Sequence, residues 1–105
     1  GESAGTGMAL DSMVCAGSII SGGTVRSSVI SPGVLVPPHA TVEHSVLMHD
    51  VVIGKGAIVR NAIIDKNVHV ADSTQIGVNL DDDRARGFTV TASGVVAVPK
   101  GYRFG

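Results

Sequence analysis

The feature that most narrows what this chain can fold into is an internal repeat. Written in rows of seventeen from Met13, residues 13–80 align as MVCAGSIISGGTVRSSV, ISPGVLVPPHATVEHSV, LMHDVVIGKGAIVRNAI and IDKNVHVADSTQIGVNL. Three columns are aliphatic in every row: Met13, Ile30, Leu47 and Ile64; Ile19, Val36, Ile53 and Val70; and Val25, Val42, Val59 and Ile76. A small or β-branched residue precedes these anchors by two positions, as with Gly23, Ala40, Ala57 and Thr74. Strand side chains alternate, so each anchor and the residue two before it point the same way, inward. An amphipathic helix would space its apolar residues by threes and fours, a pattern not seen here. The repeat therefore predicts a parallel β-helix in which each row is one turn of a triangular prism. Equivalent residues should stack about 4.8 Å apart. Two corner columns, Ala16, Gly33, Asp50 and Asn67, and Gly22, His39, Gly56 and Ser73, are rich in residues that tolerate positive φ.

Composition agrees with an all-β reading. Seventeen Val and eight Ile stand against four Leu, an excess of β-branched side chains that suits strands better than helices. At 105 residues there is room for one small domain. A net charge of −1 argues against a nucleic-acid track, and no apolar run is long enough for a membrane-spanning helix. The single Cys15 excludes an internal disulfide framework. No basic-then-apolar leader precedes residue 13, so a cytoplasmic setting is expected. A first residue other than Met points to a piece of a larger protein.

Along the chain, residues 1–12 read as a linker and residues 13–80 as the β-helix, about four 17-residue coils. Residues 81–105 read as a polar turn, opening at Asp81-Asp82-Asp83, followed by a C-terminal β-hairpin cap around Thr91-Ala92-Ser93-Gly94. One column is out of keeping with a free-standing prism. Val29, Val46, Ile63 and Leu80 should face outward and form an apolar strip. Either the hairpin or the N-terminal segment covers that strip, or it docks another domain or subunit.

The coil length, the string IISGGTVRSSVISPGV (residues 19–34), NAIIDKNVHV (residues 61–70) and the tail DRARGFTV followed by GVVAVPKG together resemble a known family. It is the C-terminal domain of the bacterial glucose-1-phosphate adenylyltransferases, or ADP-glucose pyrophosphorylases. The resemblance implies a left-handed β-helix, an exception to the usual right-handed crossover. It further implies a parent enzyme that joins ATP and glucose 1-phosphate to give ADP-glucose and pyrophosphate for glycogen synthesis. Such an enzyme uses a Mg²⁺-dependent nucleotidyltransferase domain with a glycine-rich phosphate loop. Neither that loop nor a suitable Asp pair occurs in these residues. The expectation is thus a regulatory and oligomerisation domain with no catalytic residue, no cofactor of its own and no activity alone. Its expected partners are the catalytic domain, sister subunits in a homotetramer, and phosphorylated metabolite effectors.

By motif, the resemblance assigns effector contact to Lys66 in IIDKN, Lys100 in VVAVPKG and Arg86 in DRARGF, with Arg84 nearby. Lysine and arginine suit phosphate because charge-assisted hydrogen bonds to it are strong. The competing reading is that they are solvated charges, or that Arg84 and Arg86 pair with Asp81 to Asp83. Arg26, Glu43 and Arg60 share a column and should stack as a plus–minus–plus ladder. The histidines, His39, His44, His49 and His69, fall in different columns, so no metal site is expected within one chain. Cys15 reads as a structural or surface thiol. Two other classes stay open. One is a hexapeptide-repeat acyltransferase, disfavoured because the four coils run without a loop insertion. The other is a stand-alone β-helix assembly protein.

Overall fold

Gly, Asn, Asp, Ser and His recur where the chain must turn, and the computed structural model, which describes residues 8–104, shows the reason. Each turn has three corners, and at each the backbone passes through the left-handed region. Gly17, Gly33, Asp50 and Asn67 occupy one corner and Gly22, His39, Gly56 and Ser73 a second. Asp11, Ser27, His44 and Asn61 form a third, which the sequence reading did not identify. Short polar side chains tolerate this conformation because they can bond locally to the backbone.

Between corners lie short strands, three per turn. The first set is β1 (Met8–Leu10), β2 (Met13–Val14) and β3 (Ile19–Ile20); the next is β4 (Thr24–Arg26), β5 (Val29–Ile30) and β6 (Leu35–Val36). They are followed by β7 (Thr41–Glu43), β8 (Val46–Leu47) and β9 (Val52–Ile53), then β10 (Ile58–Arg60), β11 (Ala62–Ile64) and β12 (His69–Val70), and finally β13 (Gln75–Ile76). The strands stack in parallel into three sheets, one per prism face: β1-β4-β7-β10-β13, β2-β5-β8-β11 and β3-β6-β9-β12. The result is an all-β solenoid of about four turns. Because β1 pairs with β4, residues 8–10 belong to the prism rather than to the linker read over 1–12; the rest of that segment, up to residue 7, lies outside the described residues.

The inner columns Ile30–Leu47–Ile64, Val36–Ile53–Val70 and Val25–Val42–Val59–Ile76 are all buried. The first row is a correction. Met13 pairs with Val29 and Ile19 with Leu35, sixteen residues apart, whereas Val25 pairs with Val42, seventeen apart. The first turn is one residue shorter, at the corner where Gly22-Gly23 lies against the longer Pro37-Pro38-His39-Ala40 stretch. Val14 and Ile20 therefore take the inward positions, while Met13 and Ile19 face out, 65% and 59% exposed. Gly17 replaces Ala16 at its corner for the same reason.

A polar thread accompanies the apolar one. The hydroxyl of Ser28 donates to the Arg26 carbonyl and accepts the Ser45 amide at 3.0 Å. The Ser45 hydroxyl donates to the Glu43 carbonyl and accepts the Ala62 amide at 3.1 Å. These buried serines satisfy backbone groups that a corner would otherwise leave unpaired.

After β13 the solenoid closes. The stretch read as a polar turn is a short helix, α1 (Leu80–Ala85), capped by the Asn79 side chain accepting the Asp81 and Asp82 amides. Three aspartates in its first turn face the positive end of the helix. Two further strands, β14 (Thr89–Val90) and β15 (Val96–Val98), pair antiparallel, and β15 also pairs in parallel with β11. The chain then re-enters the ladder 34 residues on, twice the repeat, with Val98 beside Ile64 and Arg103 beside His69. The helix and β14 thus fill the place of one whole turn. Gly77, at φ +80°, begins the exit; a Cβ there would overlap the Arg60 carbonyl oxygen. Among the described residues no helix is long and apolar enough to cross a membrane.

Candidate functional site

The re-entry places Lys66 and Lys100 on successive rungs of one corner. Asp65 Oδ1 accepts the Lys66 amide at 2.7 Å, Asn67 takes φ +57°, and the Lys66 carbonyl accepts the Gly101 amide at 3.0 Å. The two lysines thus leave the surface side by side, both exposed. Neither forms an ion pair among the described residues, whereas acid and base do pair elsewhere on this fold.

Arg84 and Arg86 are placed differently. Arg84 Nη1 lies 3.2 Å from Asp81 Oδ1 on the exposed side of α1. Arg86 reaches back to the prism: its Nη1 donates to the Gln75 carbonyl at 3.0 Å and faces Asp83 Oδ1 at 3.5 Å. Its guanidinium also sits 5.9 Å from the centre of the Phe104 ring. Asp83 is fully buried and accepts the Gly77 amide through Oδ2 at 2.9 Å. Phe88, Tyr102 and Phe104 meet edge to face beside it, with ring centres 4.7 to 6.0 Å apart. Arg86 and Asp83 therefore bind the helix, the last strand of the solenoid and the aromatic cluster into one cap. The structure brings Lys66 and Lys100 together, and it occupies the guanidinium groups of Arg84 and Arg86 with partners of their own.

Next to the lysine corner is a hollow of about 500 Å³ lined by Asn67, His69, Gly101, Tyr102, Arg103 and Phe104. The sequence reading passed over Arg103 and placed His69 with the other scattered histidines. The signal was present, since Lys100 lies two repeats after Lys66 and Arg103 two repeats after His69. No three His, Cys, Asp or Glu side chains are grouped to hold a metal among the described residues.

The apolar strip runs Met13, Val29, Val46, Ile63 and then Ala97, the paired outward positions of one sheet. Leu80 is not part of it. The chain leaves the ladder before residue 80, which starts α1 and packs against the core, and Ala97 of β15 takes its place. Val29 and Ile63 remain 40% exposed, because the hairpin extends the sheet at its edge and does not lie across its face.

Similar sequences are found among glucose-1-phosphate adenylyltransferases. The chain is 59% identical over 96 residues to that of Frankia casuarinae, 57% over 98 residues to that of Thermus thermophilus, and 49% over 98 residues to that of Deinococcus deserti. These alignments cover 91%, 93% and 93% of this chain but only 23%, 24% and 24% of the relatives, so the chain spans about a quarter of their length. A family model described as GlmU-like, C-terminal hexapeptide, matches residues 1–98, which take in the solenoid, the helix and both strands of the hairpin, and the chain belongs to that family.

Proposed function

We propose that the chain is the regulatory and oligomerisation domain of a glucose-1-phosphate adenylyltransferase, a cytoplasmic enzyme of glycogen synthesis. Catalysis in this reading belongs to a nucleotidyltransferase domain that these residues do not contain. The observation that carries it is the 59% identity to the Frankia casuarinae adenylyltransferase over nine-tenths of the chain. Such a match spans coils and cap alike, well beyond what a shared aliphatic repeat alone would give.

The parent reaction joins ATP and glucose 1-phosphate and releases pyrophosphate. Its Mg²⁺ would sit with the catalytic domain, where a hard cation would find the converging oxygen ligands it needs. The contribution of this chain is electrostatic and architectural. Lys66 and Lys100 present two ammonium groups on adjacent rungs, a suitable seat for the phosphate of a metabolite effector. Arg86 and Arg84 would act on that effector only by exchanging their aspartate partners for phosphate. The strip from Met13 to Ala97 offers an apolar face to the catalytic domain or to a sister subunit, in the homotetramer expected of the parent. Among the described residues the four coils run without a protruding loop, which favours this reading over the acyltransferase alternative.

The test is a chimaera in which this chain replaces the matched segment of the Frankia enzyme. Pyrophosphate release from ATP and glucose 1-phosphate should persist and respond to phosphorylated metabolites. Lys66→Ala with Lys100→Ala should reduce that response at least several-fold and spare basal turnover. A chimaera that assembles but shows no turnover would overturn the reading. The 105-residue chain alone should release no pyrophosphate.

A further inference from the structure

We draw no further inference here: the strongest candidate, the open N-terminal end of the prism with exposed Met8, Met13 and Ile19 on the outer edges of β1, β2 and β3, carries nothing because nothing in the structure shows what covers it.

Discussion

The two ends of the prism are built from the same repeat and are finished differently. At the N-terminal end Met8, Leu10, Met13, Val14 and Ile19 are exposed, and among the described residues no strand pairs with the outer edges of β1, β2 and β3. At the C-terminal end a helix, a hairpin and three aromatic rings cover the last turn, and Ile76 is wholly buried. Val14 and Ile30 are paired neighbours in one inward column, yet Val14 is 38% exposed and Ile30 is 0% exposed. Pointing inward therefore accounts for only part of burial in a solenoid. The remainder comes from a turn on each side, or from a cap that does the work of one.

The largest expected effect follows directly. Ile64→Ala, in a column with neighbours on both sides, should cost about 2–5 kcal/mol, as large-to-small core changes do. Val14→Ala, in the same column but 38% exposed, should cost about 1 kcal/mol or less. Denaturant unfolding of both variants measures the contrast. Equal losses would mean that the N-terminal end is covered in solution and that the two ends do not differ as described.

A second, smaller effect probes the cap itself. Asp83→Ala removes the acceptor of the Gly77 amide and the carboxylate partner of Arg86 in one step, leaving a partly buried N–H unpaired and the Arg86 guanidinium held only by the Gln75 carbonyl and the Phe104 ring. A loss of about 3 kcal/mol is expected. Amide exchange should quicken at Gly77 and Phe88 well before Val42 and Val59, so that the C-terminal end comes to resemble the N-terminal one. Uniform quickening through all turns would show instead that cap and solenoid unfold as one unit.

The inner columns from Val25 onward were legible in the sequence because an alternating strand and a fixed turn length leave few other registers. The first row was not. Met13-Val14 and Ile19-Ile20 are adjacent aliphatic pairs, so a shift by one residue keeps both columns apolar and hides the shortened corner at Gly22-Gly23. The helix was hidden by its length. Asn79 followed by three aspartates is a capping signature, but six residues carry no periodicity to support it. The lysine corner came from motif resemblance and the His69–Arg103 pair was missed, for a single reason: the rows stopped at residue 80. Continued by two more rows, the same columns bring Val98, Lys100, Arg103 and Phe104 beneath Ile64, Lys66, His69 and Val70. Nothing local announces that the chain resumes its register after a helix and a hairpin.

The smallest expected effect lies midway between the ends, where neither can influence it. Arg60 and Glu43 are partly solvated, so Arg60→Ala should cost less than about 1 kcal/mol, and the difference should fade in high salt. Arg26→Ala should cost less still, since Arg26 shares the column but forms no ion pair among the described residues. Denaturant midpoints at low and high salt separate the two. A salt-insensitive loss at Arg60 would assign its role to packing of the side-chain stem against Ile58 and its neighbours rather than to charge. In that case alternation of sign would no longer mark a relaxed column, and the stacked Lys66 and Lys100 at the capped end would lose the reference against which they stand out.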